Sequence, residues 1–316
     1  LLEAVIRFSR ESMARGSPSF AAAARLFPPQ IRDSAAMLYA ACRYCDDLID
    51  GQEFGFRPSA PVPEHPTERL RHLELETRRA LAGRPSPEPV FQALHHVVAR
   101  HRIPDAYVLD FLQGFRMDVE GRSYACFEDT LAYAYHVAGV VGVMMAMVMG
   151  VRDRVTLDHA CDLGIAFQLT NIARDIVDDA AMGRCYLPED WLREHALDRG
   201  SLGRPEHRQA LSRIGTRLVD RAEPYYRSAL LGLPSLGWRN AWAIAAAAAI
   251  YRDIGIKVRD KGQAAWDQRV MTSRGRKLAL AAVGSVHAAR AVFRVGSGSD
   301  GARRHGLWTR PYPEAD

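Results

Sequence analysis

The chain is poor in cysteine, nearly free of strand-like alternation and without an uninterrupted apolar run long enough to cross a bilayer. Five cysteines in 316 residues, Cys42, Cys45, Cys126, Cys161 and Cys185, are too few and too dispersed for a disulfide framework. A reducing, intracellular setting is expected. Cys42 and Cys45 form a CxxC, but no second CxxC or His pair completes a zinc site, so packing beside a helix is their expected role. The longest charge-free run, Val137 to Val151, has 15 residues, against the roughly 20 that a span requires. It is expected to be a buried helix. The ordered regions of a signal peptide are missing, and secretion is not expected. Gly296 to Gly301 matches GxGxxG literally, yet it follows a helix in a polar tail and opens no βαβ unit, so no dinucleotide fold is expected.

What the chain has is helical periodicity. Apolar residues recur at helical spacing almost throughout, which predicts an all-α fold of ten or more helices with a 48% hydrophobic composition ample for a core. Helices are expected over residues 1–15, 30–50, 68–82, 88–100, 105–119, 137–151, 156–179, 205–231 and 238–260, with loops over 51–67 and 83–89. No linker divides the chain. The expected organisation is one domain over 1–294 and a polar, frayed tail over 295–316. The net charge of +5 suits an anionic membrane surface or a phosphorylated substrate, and because the basic residues form no stripe interleaved with aromatics, nucleic acid is not expected as a partner.

Two helices carry acidic rows. In QLTNIARDIVDD, Gln168, Asn171, Asp175 and Asp179 stand at offsets 0, 3, 7 and 11 and share one side of a helix. In CRYCDDLID, Arg43, Asp46 and Asp50 do the same, with Tyr39 one turn earlier. Carboxylates four apart repel, so each row calls for a cation, and oxygen ligands without His or Cys point to Mg²⁺, with Mn²⁺ as its substitute. Asp175→Asn is therefore expected to raise the melting temperature of the metal-free chain. The bland reading is a solvated face, with Arg43 merely paired to Asp46 or Asp47. Ser17 and Ser19 are placed to cap a helix or to meet an anion. Gly139 and Gly142 leave room either for a close helix crossing or for a hydrocarbon channel, at whose mouth Tyr133 would sit. Arg184 and Tyr186 follow the second row, and Tyr251 and Arg269 lie further on. His95, His96 and His101 are expected to pack or face solvent.

SPSF at Ser17 to Phe20, CRYCDDLID, YAYHVAGVVG at Tyr133 to Gly142 and QLTNIARDIVDDAAMGRCYLP resemble the squalene and phytoene synthase family, and within it the bacterial phytoene synthases. The resemblance implies an isoprenoid synthase-type helical bundle around a central apolar cavity. It implies head-to-head condensation of two geranylgeranyl diphosphates, through prephytoene diphosphate, to phytoene, without NADPH. Asp46, Asp50, Asn171, Asp175 and Asp179 would hold Mg²⁺; Asp46, Asp50, Asp175, Asp179 and Tyr133 would be catalytic. Ser17, Ser19, Phe20, Tyr39, Arg43, Val137, Gly142, Gln168, Asn171, Arg184, Tyr186, Tyr251 and Arg269 would line the substrate site. Peripheral association with the cytoplasmic face of the inner membrane and contact with other carotenoid-pathway enzymes are implied as well. The alternatives are a C30 squalene or dehydrosqualene synthase using farnesyl diphosphate and a non-enzymatic helical interaction protein.

Overall fold

The structure is a computed structural model and describes residues 2–51, 65–293 and 304–312, the side chains of Pro18, Ser19 and Ala22 excepted. Most of the expected 51–67 loop and the GxGxxG match lie outside the described residues. Among the described residues there is no strand, and the chain runs as α1 (Leu2–Gly16), α2 (Pro18–Ala24), α3 (Pro29–Asp50), α4 (Pro66–Leu81), α5 (Pro89–His101), α6 (Asp105–Val119), α7 (Phe127–Ala134), α8 (Val140–Val148), α9 (Arg154–Ala181), α10 (Glu189–Glu194), α11 (Arg208–Leu231), α12 (Trp238–Lys261) and α13 (Arg274–Phe293). The expected all-α fold is borne out, and most helix ends fall within three residues of their expected places. Proline opens α3, α4 and α5 in the first turn, where its missing N–H costs nothing. Gly51, with φ 63°, ends α3 directly after Asp50, a left-handed position that suits glycine.

The apolar run differs from expectation. A π-helical turn, Tyr135–Gly139, joins α7 to α8, so the helix extends over Phe127–Val148. At 22 residues and mean hydropathy 1.7 it is long and apolar enough to span a bilayer, but 61% of its most apolar window is buried in the protein, as in a core helix.

The chain forms two compact units. In the first, residues 1–120, 144–152 and 312–316, α3 is the central helix, packed by α1, α2, α4, α5 and α6. In the second, residues 121–143 and 153–311, α9 takes that place among α7, the π turn, α11 and α12. Each acidic row thus rides on the central helix of its own unit, where one face is committed to packing. The expectation of a frayed tail is corrected over residues 304–311. Arg304 and Arg310 pair with Asp162 and Asp158 of α9, and Arg310 is 2% exposed. Salt bridges to a buried helix hold this segment where its composition suggested only solvent.

Candidate active site

In the first unit the N-terminal motif and α3 assemble one group. Ser17 accepts a hydrogen bond from the Phe20 N–H at 3.3 Å and so caps α2. Phe20 packs on Tyr39 with ring centroids 5.9 Å apart, and Gly16 approaches Tyr39 so closely that a Cβ there would lie 2.7 Å from its hydroxyl. The Ser19 side chain is outside the described set. Arg43 grips Asp47 with two hydrogen bonds, 3.1 Å from Nε and 2.5 Å from Nη2, and its Nη1 lies 3.5 Å from Asp46. Burial opposes the charge of Arg43, but Asp47 and then Asp46 outweigh it and hold the pKa above its ordinary value. Asp47 is therefore the orienting partner of Arg43. Asp46 and Asp50 stand one turn apart at the end of α3. Burial pushes the Cys42 thiol up to about 12 and Cys45 well above its ordinary value, so both are inert, packed thiols.

In the second unit Asp153 accepts the Thr156 N–H at 2.8 Å and starts α9. Along α9 the residues Gln168, Asn171, Asp175 and Asp179 are half-buried, whereas Leu169, Thr170, Ile172, Ala173 and Ile176 beside them are buried. Asn171 donates to Gln168 at 3.4 Å, and its own Oδ1 is buried without a hydrogen-bond partner among the described residues. An acceptor buried in that state is what a cation or donor from a ligand would satisfy. The oxygen-only row fits Mg²⁺ on this ground.

Asp175 is not a bare carboxylate. Arg174 donates to it from Nε at 2.8 Å and from Nη2, and Arg269 reaches its Oδ2 from Nη2 at 3.2 Å. The like-charge expectation for Asp175→Asn is thereby corrected, because two guanidiniums compensate that charge. Burial weighs against the charge of Arg174, but Asp175, Tyr251 and Asp179 together hold its pKa above the ordinary value. Tyr251 stacks on Phe167 at 4.1 Å, and its pKa is raised, first by burial. Arg174 was missed by the sequence reading. Its signal was a cation one residue before Asp175 and three after Asn171, flanking the row. Beyond α9, Gly183 with φ 75° turns the chain, and the Arg184 N–H bonds the Asp179 carbonyl at 2.9 Å, which sets Arg184 beside the end of the row.

Tyr133 is 3% exposed and stacks on Tyr186 at 4.5 Å with 15° between planes, and Tyr124, absent from the sequence reading, lies 5.5 Å from Tyr133. Thr130 anchors the Tyr186 carbonyl at 3.0 Å. Val137 lies half-buried on the π turn. The two glycines that follow are taken up by helix crossing: a Cβ on Gly142 would meet the Ala160 carbonyl oxygen at 2.3 Å, and one on Gly164 would meet that of Ala138 at 2.2 Å. A Cβ on Gly139 would lie 3.1 Å from Cys161 Sγ. Of the two readings left open for Gly139 and Gly142, the packing one accounts for both.

No group of three or more His, Cys, Asp or Glu that could hold a metal occurs among the described residues; the α9 row has only two such members and an amide. His95 and His101 bond the Ala80 carbonyl and Ser34 hydroxyl at 2.9 and 2.8 Å, in keeping with packing roles.

The model of the squalene/phytoene synthase family matches residues 13–276. The chain is 54% identical over 301 residues to a 15-cis-phytoene synthase of Pantoea ananas, covering 95% of this chain and 96% of that protein. It is 51% identical over 305 residues to a 15-cis-phytoene synthase of a Paracoccus species, covering 96% and 97%. A solved structure of a dehydrosqualene synthase in complex with ligand superposes with TM-score 0.79 at 27% identity, over 90% of this chain and 97% of that one.

Proposed function

The chain belongs to the squalene/phytoene synthase family, and we propose that it condenses two geranylgeranyl diphosphates head to head to phytoene. The observation that carries this reading is the α9 row with Arg174 and Arg269 converging on Asp175, in a chain 54% identical to a 15-cis-phytoene synthase. In the first half-reaction one substrate loses diphosphate, its C1 bonds to the double bond of the other, and a proton leaves to close the cyclopropane of prephytoene diphosphate. In the second, the remaining diphosphate departs, the carbon skeleton rearranges and a second proton leaves. The balance is two diphosphates and two protons released, with no hydride taken up, so NADPH has no part.

Asn171, Asp175 and Asp179 would hold Mg²⁺ on α9, and Asp46 and Asp50 would hold it on α3. Bound there, the ion would neutralise diphosphate charge as it develops on the leaving oxygen. Arg174, Arg269 and Arg184 supply planar, permanently charged donors suited to diphosphate oxygens. The stacked pair Tyr133 and Tyr186, with Tyr124 tilted against both, offers ring faces that exclude water and tolerate an allylic cation. Both substrate and product being lipids, the enzyme works peripherally at the cytoplasmic face of the inner membrane, beside other enzymes of carotenoid synthesis.

The test is incubation of purified protein with geranylgeranyl diphosphate and Mg²⁺, without NADPH, and identification of the hydrocarbon by mass spectrometry. A C40 triene-cored hydrocarbon is expected. Turnover of farnesyl diphosphate alone to a C30 product would assign the chain to the C30 branch instead, and product formation undiminished by a chelator would remove Mg²⁺ from the reading.

A further inference from the structure

Helix α13 reverses the usual arrangement of a packed helix, with its small residues inside and its large apolar residues outside. Gly284 is buried against α12, so close that a Cβ would lie 2.7 Å from the Ala246 nitrogen, and Ala288 is fully buried. Leu278, by contrast, is 75% exposed, Val283 and Val286 are each 48% exposed and Phe293 is 72% exposed. On a helix of 3.6 residues per turn Leu278, Ala282, Val286 and Phe293 fall along one side, with Val283 at its edge. The stripe runs most of the helix, about 30 Å for 20 residues. At its end Phe293 lies 5.8 Å from Trp238, which stacks on Trp242 at 6.1 Å, and Trp242 donates to the Ala281 carbonyl at 2.8 Å. Aromatic rings with one polar end favour the boundary between water and hydrocarbon.

Charge selects the occupant. From Gln268 to Phe293 the chain carries no Asp or Glu, while Arg274 and Arg290 are exposed on α13. A cationic helix with an outward apolar face suits an anionic lipid surface, whereas a second copy of the same cationic face would meet like charge. We propose that the outer face of α13 seats the chain on an anionic bilayer, with Leu278, Val286 and Phe293 in the acyl boundary and Arg274 and Arg290 at the headgroups. This deepens the peripheral-membrane part of the proposed function and rests on it.

Flotation with phosphatidylcholine vesicles, with and without phosphatidylglycerol, tests it. The parent chain is expected to float with phosphatidylglycerol vesicles at low salt. Leu278→Glu combined with Val286→Glu should lower that partitioning about tenfold or more, since two aliphatic side chains no longer enter the acyl boundary, with an unchanged melting temperature because both positions are exposed in the protein. Arg274→Glu with Arg290→Glu should abolish the preference for phosphatidylglycerol. Leu75→Glu, at a comparably exposed leucine on α4, should float like the parent. Parental flotation of the Leu278→Glu, Val286→Glu variant overturns the proposal, and so does a loss of dimerisation in that variant with flotation intact, which assigns the face to a second copy. With detergent-dispersed geranylgeranyl diphosphate the variant keeps parental turnover. A parent that makes no phytoene would sink the enzymatic reading while leaving the flotation result to stand on its own.

Discussion

Arg304 holds the fully buried carboxylate of Asp162 with hydrogen bonds of 2.7 and 2.8 Å from Nε and Nη2, across 142 residues of chain. Ser228 donates to the same carboxylate, and the Trp308 ring, four residues on, packs 5.1 Å from Tyr135 in the π turn. Arg304→Ala strands a buried charge and is expected to cost about 3 to 5 kcal/mol. Adding Asp162→Asn should recover a large part of that loss, as measured by urea denaturation of the four members of the cycle. Losses of the two single variants that simply add in the double variant would mean that the contact contributes nothing.

His159 bonds Ser228 at 2.8 Å within the same cluster. Burial holds its pKa below the ordinary 6.5, Arg304 adding to the effect while Asp162, Asp158 and Asp153 oppose it. The unfolded chain therefore takes up the proton first as pH falls. Its contribution to stability is complete above about 6.5 and is lost as the pH drops toward the folded value. Burial lowers His96 and His101 likewise. Denaturation midpoints should fall between pH 7.5 and 5.5, and His159→Gln should flatten that dependence; an unchanged slope would exclude His159 as a contributor.

Asp175→Asn should abolish phytoene formation. Because Arg174 and Arg269 lose their counter-charge, it should also lower stability by about 1 to 3 kcal/mol. A raised melting temperature would show that repulsion along the α9 row dominates after all. Activity close to the parent's would remove Asp175 from the site.

Gly164→Ala forces a methyl group against the Ala138 backbone and is expected to destabilise by roughly 1 to 3 kcal/mol. Gly275→Ala, with nothing within 4 Å of its added Cβ, should be neutral or stabilising. Thermal melts of the two variants decide it, and equal effects would refute the crossing as the reason for Gly164. The same crossing means that bulky replacements at Gly142 should lose stability along with turnover.

Tyr133→Ala would remove a core ring at a cost of about 3 to 5 kcal/mol, so any loss of turnover would mix folding with chemistry. Tyr133→Phe keeps the stack on Tyr186 and isolates the hydroxyl. A drop in kcat of about tenfold or more at an unchanged melting temperature is expected, and parental kcat would exclude the hydroxyl from the reaction.

Helical period is a local property, and what depends on it could be read directly from the residues: the all-α class, the ends of most of the longer helices and the shared side of Gln168, Asn171, Asp175 and Asp179. The motif order likewise sufficed for the family, because its residues are contiguous within each motif. Contacts between distant segments could not be read in this way. Arg269 meets Asp175 over 94 residues and Arg304 meets Asp162 over 142, and neither pairing leaves a trace in local spacing. The same holds for Gly139 and Gly142, whose missing side chains left a close crossing and a hydrocarbon channel equally open until Cys161 and the Ala160 carbonyl were in place opposite them. The tail was misread because Arg304 and Arg310 are polar by composition. Only tertiary structure supplies the buried carboxylates of Asp158 and Asp162 that make their burial favourable.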